Sequence, residues 1–307
     1  MLERPMRAAI LGAADSPLVR RAVTRYGMRL GARRFVAGET AAEFMTAARV
    51  ANGQGFAVAA TILGESVRDS DETRAVTAEY CRLLRAFADE GLDANVAFKL
   101  THVGLDIDED LAFENASQIA KAAHESGRTV RMDMEQSRYV DRTLAIYRRL
   151  RVGHRNVGVA LQSYLYRSRA DLAGMLELEP NVRIVKGAYL EPSDVAYPRK
   201  ADVDAAYVGL AQLALAHDGY TAIATHDAAI IDRVAEFADA RSLPRRGRFE
   251  FQMLYGIATA LARSVLRRGY RVRLSIPFGE YWFPYLMRRL AERPANVAFF
   301  LRGALTR

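Results

Sequence analysis

The 307-residue sequence predicts an α/β protein, a closed (β/α)8 TIM-type barrel with N-terminal flanking helices, and three observations carry that prediction. Eight short runs rich in Val, Ile, Ala and Phe alternate with longer amphipathic stretches, as strands alternate with helices. Most of the runs are apolar nearly throughout, as parallel strands buried on both faces must be, and the stretches between them are long enough for a crossover helix. No shift of composition, Pro/Ser-rich linker, low-complexity tract or longer repeat divides the chain. An open doubly wound sheet would need G-x-G-x-x-G after its first strand, and that pattern occurs nowhere.

Taken in order, residues 1–54 carry no strand signal and read as two or three helices, Glu39-Thr40 opening the segment Ala41 to Ala51. They are expected to cap or flank a catalytic barrel formed by residues 55–307. Its strands are expected at Gly55 to Leu63, Asn95 to Leu100, Thr129 to Glu135 and Val157 to Tyr164. The second half supplies Val182 to Tyr189, Thr221 to His226, Arg248 to Leu254 and Tyr270 to Ile276.

Composition narrows the function classes. With 50% hydrophobic and 26% charged residues the chain is an ordinary globular protein rather than a disordered or collagen-like one. The single cysteine, Cys81, excludes an internal disulfide and fits a reducing cytoplasm. No run approaches the roughly 18 apolar residues of a membrane helix, and the N-terminus lacks the order of a secretion signal, so any membrane contact is expected to be peripheral. The net charge of +8 comes from arginines scattered in short pairs such as Arg33-Arg34, without the interleaved aromatics of a nucleic-acid surface. No nucleic-acid partner is therefore expected. Lysine stands only at 99, 121, 186 and 200, and two of these four lie in expected strands.

Catalytic groups of such barrels lie at the carboxyl ends of the strands. There the sequence is unusually polar: Glu65 follows strand one, Lys99 lies near the end of strand two, Asp133 and Glu135 end strand three, and Gln162 lies in strand four. Arg183, Lys186 and Tyr189 lie along strand five, Thr225, His226 and Asp227 close strand six, and Glu250 and Gln252 lie in strand seven. Strand eight leads through Ser275 into a helix carrying Tyr285, Arg288, Arg289 and Glu292. A charge within a buried strand must be paired or functional. Lys99 and Lys186 are then either structural ion pairs or parts of a site for an anion. Asp133 is read as a partner of Arg131 or of a lysine, or as part of that site, and His226 as a hydrogen-bonded core histidine or a ligand. Arg288 and Arg289 point about 100° apart on one helix, so one can clamp a carboxylate while the other serves a second group, unless both belong to a solvated basic face. Phe278, Tyr281, Trp282 and Phe283 read equally as a lid and as core. The five histidines show no ligand spacing, so no metal is expected. A Schiff-base aldolase using Lys99 or Lys186 remains a competing reading.

Four stretches at these strand ends resemble signatures of the proline dehydrogenase family: Val185-Lys186-Gly187-Ala188-Tyr189, Ala224-Thr225-His226, Phe249-Glu250-Phe251-Gln252, and the run from Tyr285 to Asn296. The likeness extends from Arg34-Phe35-Val36-Ala37-Gly38-Glu39-Thr40 to the C-terminus, at the size of the monofunctional bacterial members. It implies an FAD-dependent barrel that oxidises L-proline to Δ1-pyrroline-5-carboxylate, with a quinone at a membrane surface as electron acceptor. Carried over, Lys99, Arg288 and Arg289 surround the substrate carboxylate, while Asp133, Tyr189 and Tyr285 pack beside the pyrrolidine ring. The resemblance makes Gln162, Arg183, Lys186, Gly187, Ala188, Thr225, His226 and Gln252 the cofactor set. It further implies that Glu65 pairs with Arg288 to close the site and that Glu292 orients Arg288. The sequence departs from the family pattern twice: Tyr255 stands where histidine is usual, and Ser275 stands where a tyrosine usually walls the ring carbon that bears the hydroxyl of 4-hydroxyproline. The second departure implies activity on hydroxyproline.

Overall fold

Eight parallel strands close into a barrel in sequence order in the computed structural model, which describes Gly12 and residues 16–292. They are β1 Ala57–Ile62, β2 Ala94–Phe98, β3 Val130–Met132, β4 Val157–Gln162, β5 Asn181–Val185, β6 Tyr220–Ala224, β7 Phe249–Leu254 and β8 Val272–Phe278. The pairing of β1 with β8, from Ala57 opposite Arg273 to Ile62 opposite Phe278, closes the ring. Strands three to five end earlier than expected. Glu135 leaves the ladder to accept hydrogen bonds from the Thr101 N–H and hydroxyl, and Gly187 turns the chain outward with φ +115°.

Only the outer face of each strand is apolar, which corrects the expectation of strands buried in hydrocarbon on both sides. Val58, Val96, Phe98, Met132, Val159, Ile184, Ile223, Phe251 and Ile276 join the core under the helices. The alternate residues face the lumen, where long polar side chains stand between small ones. Arg131 has Ala97 and Gly158 as its neighbours across the ladder, and Arg183 has Ala160 and Ala222. The missing side-chain volume leaves each guanidinium room to lie across the narrow interior of an eight-stranded barrel. Glu250, only 1% exposed, accepts from Arg273 Nε at 2.7 Å, Gln252 Nε2 at 2.6 Å and Arg271 Nε at 3.1 Å. Burial alone would raise its pKa, but Arg273 above all holds the carboxylate down at about 2.

The helices around the barrel are α1 Pro17–Leu30, α2 Ala41–Gly53, α3 Ser70–Asp89, α4 Glu109–Glu125, α5 Val140–Gly153, α6 Ser168–Ala173, α7 Lys200–Ala216, α8 Ala228–Ala240, α9 Thr259–Arg267 and α10 Trp282–Glu292. α2 begins where expected, at a reciprocal cap in which Thr40 accepts from the Glu43 N–H and the Glu43 carboxylate accepts from the Thr40 N–H. Its Phe44, Met45, Ala48 and Ala51 are buried, and it packs on β1 and β8. α2 thus fills the outer position where the chain closes, and α10 is released to pack with α1. Trp282, Phe283, Leu286 and Met287 form a second core there with Phe35 and Val36. Of the aromatic cluster, Trp282, Phe283 and Phe278 are core, and Tyr281 alone stays on the surface, 63% exposed. No helix among the described residues is long and apolar enough to cross a membrane.

Candidate active site

The carboxyl mouth of the barrel is built around Glu65, in the loop after β1. Its Oε2 lies 3.1 Å from Lys99 Nζ, just after β2, and its Oε1 accepts from Arg288 Nη1 of α10 at 3.3 Å. Burial opposes ionisation of Glu65, but the two cations hold its pKa below the usual carboxylate value. Ser66, left-handed with φ +57°, turns the loop and donates its N–H to Thr101 Oγ1 at 3.1 Å. Thr101 in turn donates its hydroxyl to the buried Glu135 at 2.6 Å, so the floor of the mouth is tied to the end of β3. His102, 2% exposed, packs against Gly64, where a Cβ would lie 2.3 Å from Nε2. Burial, reinforced by the Lys99 charge, pushes its pKa down to about 4 and keeps the ring neutral. Gly64, Glu65, Ser66, Lys99, His102 and Arg288 line a cavity of about 330 Å³, with Tyr281 and Pro284 also in its lining. Thr101 and His102 escaped the sequence reading because neither lies in a motif, and Glu135 was read only as the end of strand three. They meet only through the turn after β2.

Deeper in, Asp133 forms an ion pair with Arg183 rather than with Arg131 or a lysine. Arg131 reaches Asn181 instead, one layer lower in the lumen. Burial and, less strongly, the nearby Arg131 disfavour the charge on Arg183, and the Glu250 carboxylate opposes them. Tyr189, in the loop beyond β5, is pushed up by burial and by Glu135, and so keeps its phenolic proton. On α10 the Arg289 guanidinium lies 5.1 Å from the centre of the Tyr285 ring, one turn earlier, as their spacing requires. Arg289 is buried to 8% exposure, whereas the Arg288 side chain keeps 32%, so the pair is not a solvated basic face. Ser275 sits on the lumen side of β8 in the same alternation as Arg273, and its carbonyl accepts from the Tyr255 N–H at 3.0 Å. Glu292 is the last residue of α10, and its side chain lies outside the described residues.

The β4-to-β7 side gathers the remaining residues. Gln162 (2% exposed) leaves Oε1 buried without a hydrogen-bond partner, and Arg183 leaves Nε in the same state. Lys186 is not isolated: Asp204 lies at 2.5 Å and Asp227 at 3.1 Å, with Lys200 joining the same two carboxylates. Gly187 passes so close to Tyr164 that a Cβ would lie 2.3 Å from the ring. Ala188 is exposed beside it. Thr225 Oγ1 accepts from the Asp227 N–H at 3.1 Å, and His226 Nε2 accepts from the Leu254 N–H at 2.9 Å, which fixes its ring against the end of β7. Gln252 is held by Glu250. Among the described residues, no group of three or more His, Cys, Asp or Glu could hold a metal ion.

Fold and mouth together define a (β/α)8-barrel enzyme. The sequence profile of proline dehydrogenase matches residues 44–302, and the chain belongs to the proline dehydrogenase family. It is 38% identical over 300 residues to Proline dehydrogenase 1 of Bacillus subtilis strain 168, covering 98% of this chain and 99% of that one. It is 41% identical over 310 residues to the Proline dehydrogenase of Deinococcus radiodurans, covering 99% of each. Proline utilization A from Bdellovibrio bacteriovorus, solved after inactivation by N-propargylglycine, matches with a TM-score of 0.82 and 25% identity over 90% of this chain. The present chain spans 34% of that longer one.

Proposed function

We propose that the protein oxidises L-proline to Δ1-pyrroline-5-carboxylate with FAD as cofactor and passes the electrons to a quinone. The observation that carries this reading is the convergence of Lys99 and Arg288 on the Glu65 carboxylate, beside Arg289 and Tyr285, at the catalytic end of the barrel. That cluster is already organised to hold a carboxylate. A substrate carboxylate takes the place of Glu65, with the planar forks of Arg288 and Arg289 fixing its orientation and Lys99 adding charge. Tyr285 and Tyr189 flank the ring, and Asp133, itself held by Arg183, orients the ring edge. No general base is needed if the amine enters neutral or loses its proton to water.

The opposite wall fits the cofactor. The orphaned Gln162 Oε1 and Arg183 Nε are polar atoms that a flavin edge would satisfy, and the close approach at Gly187 leaves no side chain in its way. Gln162, Arg183 and Gln252 would hold the ring, with Lys186, Gly187, Ala188, Thr225 and His226 toward the pyrophosphate and ribose. When bound, the flavin supplies the hydride acceptor at N5. The chain's own residues supply proximity and orientation.

A Schiff-base aldolase loses its support, because Lys99 and Lys186 are both gripped by carboxylates. The acceptor in this reading is a quinone at a cytoplasmic membrane surface, toward which the net charge of +8 draws the protein weakly. A second reading, 4-hydroxyproline as substrate, is favoured by Ser275 on the lumen side of β8, where a small hydroxyl leaves room. The purified protein is expected to show flavin absorbance that bleaches anaerobically on adding L-proline or hydroxyproline. A colourless protein that fails to take up FAD overturns the assignment.

A further inference from the structure

The other end of the barrel holds a second cavity, of about 570 Å³, between the residues that open the strands. Asp93 and Ala94 enter it at β2, Arg128 and Thr129 at β3, Tyr220 at β6 and Arg271 before β8. Seven arginines line it against three carboxylates. The carboxylates are already engaged: Glu179 by Arg155 at 2.7 Å, Asp93 by Arg271 at 2.6 Å and Glu250 by Arg273 at 2.7 Å. Arg128, Arg131, Arg151 and Arg246 lie within ion-pair distance of no carboxylate among the described residues. Their donors go to backbone carbonyls and to Asn181.

Three of these four also leave a buried donor unmatched. Nε of Arg128, of Arg131 and of Arg151 is shielded from solvent without a hydrogen-bond partner, and Arg131 and Arg151 are only 3% and 8% exposed. Buried guanidinium charge is tolerated when a counter-charge and acceptors meet it. Water can satisfy single donors, but it cannot neutralise a lining with four surplus positive charges. A barrel floor built only for stability would pair its arginines, as Glu250 does for Arg273.

We infer that this cavity is a binding site for a small, multiply charged phosphate anion, distinct from the substrate and cofactor site at the opposite end. Its volume lies within the range of small-molecule sites, and its arginines offer the forked donors that phosphate oxygens accept. The site touches the catalytic end through one column: Glu250, which Arg273 grips at the floor, accepts from Gln252 in the expected cofactor set.

The probe is inorganic pyrophosphate, titrated by calorimetry into FAD-saturated protein at ionic strength fixed with chloride, so that the cofactor's own phosphate positions are filled. One site per chain is expected, with Kd below about 1 mM, and saturation at 100 times Kd raises the melting temperature by roughly 5 °C. Arg128→Gln is expected to weaken binding about tenfold or more. If that variant does not fold, the rim substitution Arg246→Gln tests the same lining, with proline turnover unchanged. A melting temperature that responds to pyrophosphate no more than to chloride, or affinity untouched by the folded variant, overturns the proposal.

Discussion

Glu65 and Arg288 are joined across 223 residues of sequence, the loop after β1 meeting α10 at 3.3 Å over the carboxyl mouth of the barrel. The contact closes the site with the chain's own carboxylate, and Lys99 shares the load on the other oxygen. Because the two cations lower the Glu65 pKa, its ionised form contributes stability above the ordinary carboxylate range, and that contribution is lost as pH falls through the lowered value. The side chain is 33% exposed, so solvent screening keeps the amount near 1 kcal/mol or less. Glu65→Gln is expected to lose that much at pH 7 and nothing below about pH 4, read from urea melts at the two pH values. A loss that persists in acid contradicts the ion-pair account.

Arg289 is expected to act through its fork rather than its charge alone. Arg289→Lys should cost on the order of 2 to 4 kcal/mol in transition-state binding, a fall of roughly 30- to 1000-fold in kcat/KM for proline. Lysine keeps the charge but cannot reproduce the planar donors or the stack on Tyr285. Near-normal turnover in that variant removes Arg289 from the substrate site.

Ser275 is expected to set the breadth of substrate choice. A tyrosine there would fill the lumen side of β8 with a ring, and steric exclusion discriminates against an added hydroxyl more strongly than an apolar wall does. The wild type should oxidise 4-hydroxy-L-proline at a rate comparable with, or better than, L-proline, and Ser275→Tyr should shift the ratio toward proline. Rejection of hydroxyproline by about 100-fold in the wild type, or an unchanged ratio in the variant, ends the idea.

His102 is expected to make the fold acid-sensitive. Its pKa falls from the ordinary histidine value of 6.5 to about 4 on folding, so the unfolded chain binds the extra proton and stability declines as pH drops between those two values. At 2% exposure the effect approaches about 3 kcal/mol. His102→Leu should flatten this part of the stability profile, measured by denaturant midpoint from pH 7 to pH 4. An unchanged slope would falsify the assignment.

Sequence by itself determined the barrel and the elements that carry its site. The alternation of apolar runs and amphipathic stretches repeats locally and needs no distant partner to be read, although strands three to five end before Glu135, Tyr164 and Tyr189. The opening of a helix after Glu39-Thr40 and the helical spacing of Tyr285 to Arg289 were legible for the same reason. Tertiary structure decided which charges meet. Asp133 had several candidate cations and took Arg183, because the alternation along β5 sends Arg183 into the lumen while Ala160 and Ala222 leave it space. It also decided that Lys186 is anchored by Asp204, whose helix starts after a long loop, and that His102 packs against Gly64. The alternation of an apolar outer face with a polar lumen was hidden in the sequence by alanine and glycine, which read as hydrophobic in a run but serve inside the barrel as empty volume. A one-dimensional pattern records which residues are apolar. Only closure of the ring determines what each of them has to make room for.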